Sequence, residues 1–176
     1  RISRGGVAMS DSLGDRMKSY ESTDQLDRWK ATFIRIDGKA FHTWTRLFGA
    51  NEPFDQEIMG AMSYATLQTS DQMQGFRLAY TQSDEATFML YPRRDEGSTW
   101  FDNKVQKLTS VSASYFTYFF NDFFKLINKE APMAIFDARA FSVPLEDAAN
   151  QFVWRQKDWR RNSIQMLGRA HFSHKE

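Results

Sequence analysis

The chain of 176 residues has no cysteine and no long hydrophobic run, and these absences exclude several classes of protein. Without cysteine it can form neither disulfide bonds nor thiolate metal sites, so a bound metal ion would have oxygen ligands. No apolar stretch approaches the roughly 20 residues that cross a bilayer, which excludes a membrane-spanning helix. The formal net charge of +1 excludes a general basic field for nucleic acid. A cytoplasmic location without membrane contact is therefore the default expectation.

Aromatic residues are abundant, and they supply the material for one large core. Apolar residues make up 41% of the chain, which includes 16 Phe and 5 Trp. Met9-Ser10-Asp11 has the form of a natural start, and the residues before it lack the hydrophobic segment of a signal peptide. We therefore interpret residues 1–8 as a leader outside the fold and residues 9–176 as a single domain.

Apolar periodicity predicts an α+β protein with the order strand, helix, strand, strand, helix, strand, followed by a C-terminal helix from Pro144. The predicted strands cover residues 31–36, 76–82, 86–91 and 133–139, and the predicted helices cover 12–22, 54–75, 102–128 and the residues after 144. This βαββαβ order is that of a ferredoxin-like palm, an antiparallel sheet with both helices packed on one face. Polymerase palms and nucleotide cyclases share this architecture, so the fold alone does not decide the function.

Two acidic motifs each follow a predicted strand. Asp37 and Gly38 follow the first strand, and Ser83, Asp84 and Glu85 form the predicted turn between the second and third strands. If these strands are neighbours, Asp37 and Asp84 meet and can hold two Mg²⁺ ions about 3.5 to 4 Å apart, as in phosphoryl transfer. The Gly38 carbonyl could add a ligand, and Glu85 could orient the site. An ordinary turn is the alternative for either motif alone.

The second long helix presents a polar ridge at helical spacing. Asn103, Lys107, Ser110 and Ser114 lie opposite its aromatic stripe, with Lys104 beside them. The ridge starts at a helix N-terminus, where backbone N–H groups and the macrodipole favour phosphate. We expect a triphosphate to bind there, with Lys107 as the main contact. A solvated helix face is the alternative.

Further candidate contacts follow the Asp-Gly turn and occupy the last helix. His42 could pair with a phosphate or cap the turn. A basic cluster interleaved with Trp154 and Trp159 could contact an RNA backbone through charge and stacking. The members of this basic cluster are Arg155, Lys157, Arg160 and Arg161. The alternative is a basic helix with two tryptophans in the core.

In their order along the chain, these motifs resemble the tRNA-histidine guanylyltransferases and their relatives, which polymerise nucleotides in the 3′-to-5′ direction. The resemblance runs from about Asp15 to Glu176, and its specificity comes from the number of motifs in the same order. They are Asp15-Arg16-Met17-Lys18, Arg35-Ile36-Asp37-Gly38-Lys39 with Phe41-His42, Tyr80 to Glu85, Phe136-Asp137-Ala138-Arg139 and Trp154-Arg155-Gln156.

The resemblance implies a reaction and its participants. The 5′-phosphate of an RNA, tRNA above all, would be activated by ATP with release of pyrophosphate. The 3′-hydroxyl of GTP or another nucleoside triphosphate would then attack the activated end. Asp37, the Gly38 carbonyl and Asp84 would hold two Mg²⁺ ions, with Glu85 in support. The implied nucleotide-binding residues are Lys39, Ala40, Phe41, His42, Asp55, Ser83, Lys104, Lys107, Ser110 and Asn162. The resemblance also implies a homo-oligomer, a tetramer.

Several residues depart from the family pattern, and they bear on which branch of the family the chain resembles and on its triphosphate contacts. Arg160-Arg161-Asn162-Ser163 replaces a His-x-Asn-Asn element, which favours the tRNA-repair branch. Glu52 stands where relatives often have Lys, and Asn103-Lys104 stands where they have paired arginines. The chain also ends at Glu176, before the C-terminal segment of its relatives, so we expect a truncated form. A palm-type nucleotide cyclase and a catalytically silent RNA-binding relative are the alternative functions.

Overall fold

One antiparallel sheet of four strands organises the residues that the computed structural model describes, 12–92 and 97–172. Its strands are β1 (Ala31–Gly38), β2 (Phe76–Gln82), β3 (Glu85–Leu90) and β4 (Phe136–Val143), and the helices are α1 (Leu13–Lys18), α2 (Phe41–Phe48), α3 (Gln56–Ser70), α4 (Val105–Leu126) and α5 (Ala148–His171). Short 3₁₀ turns at Trp100–Asn103 and Leu145–Asp147 precede α4 and α5. The strand order β2-β3-β1-β4 confirms the predicted α+β class with an antiparallel sheet and a C-terminal helix. The expected leader, residues 1–8, lies outside the described residues.

Helices α3 and α4 pack on one face of the sheet and bury an aromatic core. Ile34 and Ile36 of β1 are fully buried there. Phe116 and Phe120 of α4 lie edge-on to Phe136 of β4, with ring centroids 4.8 and 4.9 Å from the centroid of that ring. Edge-to-face packing adds to the hydrophobic burial of these rings. Helix α4 is therefore held firmly across β1 and β4.

The first turns of α5 cover the opposite face of the sheet. Phe33 of β1 is fully buried, and its ring lies 5.7 Å from Phe141 of β4 and 5.5 Å from Phe152 of α5. Ala31 and Ala148 belong to the same small cluster. β1 is therefore covered on both faces, and its polar side chains can reach solvent only toward its C-terminal end.

Helix α1 ends at Lys18 and not at residue 22, and α3 covers Gln56–Ser70 and not residues 54–75. Three further element boundaries differ from the predicted ones because of local turns. β4 begins at Phe136 and not at residue 133. Helix α4 begins at Val105, because residues 101–103 adopt left-handed φ angles of 50 to 56°. Helix α5 begins at Ala148, after the 3₁₀ turn that follows Pro144. None of the helices within the described residues combines the length and apolar character needed to cross a membrane.

An aromatic side chain closes the turn at the end of β1. The chain turns through Gly38 and Lys39, and Ala40 adopts a left-handed conformation with a φ of 51° before α2 begins. Phe41 is 8% exposed, and its ring stacks on Trp44 at 4.9 Å. A Cβ atom at Gly38 would lie 2.5 Å from Cδ2 of Phe41, closer than carbon atoms normally approach. Gly38 is therefore required for the Phe41 ring to seal the strand end.

The Asp55 carboxylate caps α3 and is occupied by bonds within the chain. Its Oδ1 accepts the N–H groups of Glu57 and Ile58 at 2.9 and 3.0 Å, and its Oδ2 accepts the backbone and side-chain N–H groups of Asn51 at 2.9 and 3.1 Å. Burial raises the pKa of Asp55, but these hydrogen bonds outweigh burial and bring the pKa below its usual value. The expected contact of Asp55 with a nucleotide does not fit this arrangement, because the carboxylate serves as a helix cap.

Replacing Gly38 with Ala is expected to destabilise the fold by about 1 to 3 kcal/mol, since the new methyl group overpacks against the Phe41 ring. The measurement is the free energy of unfolding from a urea titration. Gly97→Ala is the matched control, because a Cβ atom there meets no atom of the described residues within 4 Å. An unchanged free energy of unfolding for Gly38→Ala would contradict the sealed turn.

Asp55→Ala is expected to cost about 0.5 to 2 kcal/mol of stability at neutral pH, the usual contribution of a helix N-cap. Because the pKa of Asp55 is lower in the folded protein than in the unfolded chain, its charge stabilises the fold above the unfolded pKa. That contribution is lost as pH falls through the folded pKa. The difference in unfolding free energy between wild type and variant should therefore shrink in acid. Asp71→Ala, an exposed aspartate just beyond the same helix, is the control. A difference that grows in acid would refute the cap.

Candidate active site

Antiparallel pairing brings the two acidic motifs together. β1 pairs with β3 so that Asp37 lies opposite Glu85, and the Gly38 N–H donates to the carbonyl oxygen of Asp84 at 3.1 Å. Ser83 and Asp84 form a two-residue turn between β2 and β3, with Ser83 at a left-handed φ of 48°. Glu85, expected in the turn, is instead the first residue of β3. The end of β1 thus gathers three carboxylates from two separate parts of the chain.

The charges of Asp37 and Asp84 act on each other across this turn. Burial raises the pKa of Asp84 and the charge of Asp37 raises it further, while the Asp84 N–H and the Ser83 hydroxyl oppose the rise. A bound cation stabilises two carboxylates that repel each other, and carboxylate oxygen suits a hard divalent ion. Among residues 12–92 and 97–172, no group of three or more His, Asp or Glu side chains is arranged to bind a metal ion. A metal here would therefore depend on these two carboxylates and on backbone oxygen.

The pairing of β1 with β4 adds Asp137, a carboxylate that sequence reasoning missed as a site residue. Asp37 lies opposite Glu85 on one side and opposite Asp137 on the other. Directly opposed residues of an antiparallel pair project from the same face, so these three acids share one face of the sheet. Asp137 is exposed, and its Oδ1 lies 3.8 Å from the Arg139 guanidinium. Its only signal in the sequence was the Phe136–Arg139 motif, since strand register cannot be read from composition.

Glu85 is bound by Arg155, which sequence reasoning assigns to RNA binding. The Nε and Nη2 atoms of Arg155 donate to Oε1 and Oε2 of Glu85 at 2.7 and 2.8 Å. Burial raises the pKa of Glu85, and the charges of Arg155 and Arg35 oppose that rise. Arg155 is 8% exposed, so its guanidinium is committed to Glu85 and is not presented to RNA. Arg155 follows Ala148 by seven residues and Phe152 by three, and residues at these spacings lie on the same face of a helix. This spacing is the sequence signal that places Arg155 on the buried face of α5.

The start of α2 lies directly beside the end of β1 and offers a site for an anion. The Ala40 carbonyl accepts the N–H groups of residues 43 and 44, whereas the first N–H groups of a helix have no partner inside it. Ala40 provides no side-chain cap. Lys39 and His42, both predicted nucleotide contacts, have exposed side chains. Phe41 can contribute only its backbone, because its ring belongs to the core.

The start of α4 does not present the predicted phosphate ridge. Asn103 is 3% exposed and lies in the 3₁₀ turn before the helix. The Val105 N–H donates at 2.9 Å to a carbonyl of the segment that precedes β1, so that segment closes the helix N-terminus. Ser110 donates its hydroxyl to the carbonyl four residues earlier in its own helix, at 2.7 Å. Lys104 and Lys107 are exposed, so these two lysines are the members of the predicted ridge that can contact a ligand near the start of α4.

The outer face of α5 presents the remaining predicted contacts. Three exposed cations lie there, Lys157, Arg160 and Arg161. Asn162 is also exposed, and its Nδ2 lies 3.5 Å from Oδ2 of Asp158. The same oxygen lies 3.3 Å from Nη2 of Arg155. Asn162 is therefore connected to the acidic strand end through Asp158 and Arg155, although it lies on the outer face of the helix.

Known proteins with similar sequences give independent information on the family of this chain. A family model described as tRNAHis guanylyltransferase matches residues 14–144. An uncharacterised protein of Acanthamoeba polyphaga mimivirus is 28% identical over 184 residues, covering 89% of this chain and 62% of that protein. A probable tRNA(His) guanylyltransferase of Dictyostelium discoideum is 27% identical over 161 residues, covering 89% of this chain and 61% of that protein. The chain spans about three-fifths of the length of these two relatives.

Solved structures show the same relationship. A bacterial tRNA(His) guanylyltransferase-like protein in complex with ATP superimposes with a TM-score of 0.86 and 39% identity, covering 93% of this chain and 72% of that chain. A bacterial protein of the same description in complex with GTP gives a TM-score of 0.85 and 38% identity, covering 93% of this chain and 79% of that chain. Because the family model matches most of the chain, the resemblance seen in its motifs is confirmed, and this protein belongs to the tRNAHis guanylyltransferase family.

Proposed function

We propose that this chain is the palm-type catalytic domain of a nucleotidyltransferase that adds nucleotides, in the 3′-to-5′ direction, to the 5′ end of tRNA or a tRNA-like RNA. The observation that supports this proposal is the meeting of Asp37 and Asp84 beside the open start of α2. Phosphoryl transfer needs charge stabilisation and positioning of phosphates, which this arrangement of groups can provide. ATP and GTP are the proposed substrates, since the bacterial relatives are in complex with these nucleotides.

Asp37, Asp84 and the Gly38 carbonyl would hold two Mg²⁺ ions, which when bound supply charge stabilisation to the phosphate oxygens. This donor set fits a hard divalent ion, because burial and, to a lesser degree, the charge of Asp37 raise the pKa of Asp84, and a bound cation opposes both effects. Glu85 adds no ligand in this arrangement, since both its oxygens are bound to Arg155. Its role is to support the site from the adjacent strand.

The start of α2 would bind the triphosphate of the nucleotide. The N–H groups of Phe41 and His42 and the positive end of the helix dipole favour phosphate. The exposed side chains of Lys39 and His42 can add contacts from the same turn. Only three residues separate Asp37 from the first residue of α2, so bound phosphates would lie next to the carboxylates.

The proposed reaction has two steps at this one site. In the first, an oxygen of the RNA 5′-phosphate attacks the α-phosphorus of ATP, and pyrophosphate leaves. In the second, the 3′-hydroxyl of the incoming nucleoside triphosphate attacks the activated 5′-phosphate, and AMP leaves. The contribution of the chain is to align the attacking oxygen with the phosphorus, which converts an encounter of two molecules into a reaction within one complex.

RNA would lie along α5. Its three exposed cations can neutralise phosphates, and Trp154 and Trp159, which are 50% and 45% exposed, can stack on unpaired bases. Because Arg155 joins this helix to Glu85, RNA bound along α5 has a fixed position relative to the end of β1.

We also propose a homo-oligomer, a tetramer as the family resemblance implies. Apolar side chains in the second half of α5 are exposed, among them Ile164 at 60% and Phe172, at its end, at 67%. Several exposed apolar side chains close together in the sequence are commonly covered by another protein surface. Contacts between subunits would therefore be formed along the distal part of α5.

Asp37→Asn and Asp84→Asn are each expected to lower the rate of 5′ nucleotide addition by about 100-fold or more, since each removes a charge needed at the reaction centre. The assay supplies 5′-monophosphorylated, 5′-truncated tRNA, ATP, Mg²⁺ and each labelled nucleoside triphosphate, and identifies the end that grows. Asp71→Asn, an exposed aspartate beyond α3, is the control.

Addition at the wild-type rate by either site variant would refute the two-carboxylate site. Cyclic nucleotide formed from ATP or GTP without RNA would instead indicate a palm-type cyclase. RNA retention without Mg²⁺-dependent turnover would indicate a silent RNA-binding relative. Each variant should unfold at a denaturant concentration no lower than that of the wild type, because removing one of two carboxylates that repel each other does not destabilise the fold. A lost activity is then not a lost fold.

The double variant Lys157→Ala/Arg160→Ala is expected to weaken tRNA binding and to flatten its salt dependence. The slope of log affinity against log salt should fall by roughly 1.5, since each phosphate contact contributes about 0.7 to 0.9. The KM for ATP should not change, because neither side chain lies at the start of α2. The control Arg77→Ala/Lys125→Ala removes two exposed charges from β2 and α4. An unchanged salt slope would exclude this face of α5 from RNA binding.

A further inference from the structure

Arg155 binds both residues that bracket the turn containing Asp84. On the β3 side, its Nε and Nη2 atoms donate to the Glu85 carboxylate at 2.7 and 2.8 Å. On the β2 side, the Gln82 amide satisfies both of its polar atoms when it is turned so that its oxygen faces the guanidinium. The oxygen then accepts from Nη2 at 2.6 Å, and the nitrogen donates to the Arg155 carbonyl at 2.7 Å. Gln82 and Glu85 are the paired residues that close this turn. One arginine thus spans the base of the hairpin.

The guanidinium is itself held in place. Oδ2 of Asp158 lies 3.3 Å from its Nη2, and the centre of the Trp154 ring lies 4.6 Å from its Cζ. The side chains of Arg155 and Glu85 are only 10% and 13% exposed. A two-point ion pair with so little solvent is stronger and more directional than an ion pair on the surface. Arg155 therefore fixes the hairpin and α5 relative to each other.

The same ion pair determines the balance of charge beside the end of β1. Asp37 and Asp84 lie next to Glu85, and the cations facing Glu85 are Arg155 and, at 3.8 Å, Arg35. Without Arg155, Glu85 would lose its main partner while still largely buried, which is destabilising. Its carboxylate would also be released to turn toward the other two acids.

We propose that Arg155 is a positioning residue for the reaction centre. It clamps the hairpin so that Asp84 is held beside Asp37, and it keeps Glu85 from competing with them for divalent cations. This inference rests on the proposed function of Asp37 and Asp84. The proposal links RNA binding to the geometry of the reaction centre. Arg155 attaches α5, the helix with the exposed cations, to the β2–β3 hairpin that carries Asp84.

A double-mutant cycle tests the proposal with Arg155→Met, Glu85→Gln and the combined variant. Each single change is expected to lower kcat for 5′ addition by about 10-fold or more, because small displacements at a reaction centre are costly. The KM for ATP should change less than about twofold. The losses in kcat should not multiply in the combined variant, since both changes break one unit. The combined variant should regain part of the unfolding midpoint that Arg155→Met loses, because Glu85 is then no longer a buried charge without its main partner; Arg35, with a side chain 20% exposed, loses its carboxylate and limits the recovery.

Binding of Mn²⁺ alone, measured by electron paramagnetic resonance, separates positioning from folding. Arg155→Met should bind Mn²⁺ several-fold more tightly than the wild type, because a nearby cation is removed and Glu85 is released. Damage to the fold would weaken binding instead. Arg155→Lys keeps the charge but loses the two-point grip, so it should keep the wild-type Mn²⁺ affinity and lose kcat. Arg169→Met, an exposed arginine further along α5, is the control and should change neither quantity.

The outcomes distinguish this inference from the function on which it rests. A wild-type protein that adds no nucleotide would overturn both. With an active wild type, the inference alone fails if Arg155→Lys retains full kcat, if the losses in kcat multiply, or if Arg155→Met weakens Mn²⁺ binding. If the combined variant recovers both kcat and stability, Arg155 has only a structural role and the inference also fails.

Discussion

Burial of β1 on both faces is the constraint that determines where this molecule can place charge. Ile34 and Ile36 face the aromatic core under α3 and α4, and Phe33 faces α5. A carboxylate within this part of the strand would be desolvated without a partner, so acidic groups are tolerated only where the strand leaves the sheet. Asp37 lies at that point. The next residue must be glycine, because the Phe41 ring occupies the space of a side chain. Hydrophobic burial thus fixes one carboxylate of the site.

Bringing a second acidic motif to the same point has an electrostatic cost, and the fold offsets only part of it. Burial raises the pKa of both Asp84 and Glu85. Arg155 compensates Glu85 with a two-point ion pair, whereas Asp37 and Asp84 are left to repel each other. That repulsion is the energy that a bound divalent cation would recover. The neighbouring acids Asp84 and Glu85 therefore differ in role. The charge of Glu85 is compensated by Arg155, whereas Asp84 is available to a ligand.

Features that depend on local sequence were predictable, and features that depend on distant partners were not. An apolar β-branched run that stops at Asp-Gly predicts a strand and a turn, and the βαββαβ order predicts that Asp37 and Asp84 meet. The partner of Arg155 lies 70 residues away, so composition grouped this arginine with the exposed cations of α5. The positions of these residues around the helix would have distinguished Arg155 from the exposed cations, because only one face of α5 can contact the sheet. The role of Asp55 depends on where α3 begins, a boundary that Pro53 marked only approximately.

The N-termini of α4 and α2, the two helix ends considered for phosphate binding, differ in whether another part of the chain bonds to their first backbone N–H groups. At α4, the Val105 N–H is occupied by the Asp24 carbonyl, so a neighbouring segment already uses the positive end of that helix. At α2, the chain passes from strand to helix through a turn too short to provide a capping side chain, and Ala40 makes no cap bond. The helix terminus beside Asp37 is therefore open. The tight turn that makes Gly38 obligatory also leaves α2 uncapped, so the proposed anion site and the proposed carboxylate site have one structural cause.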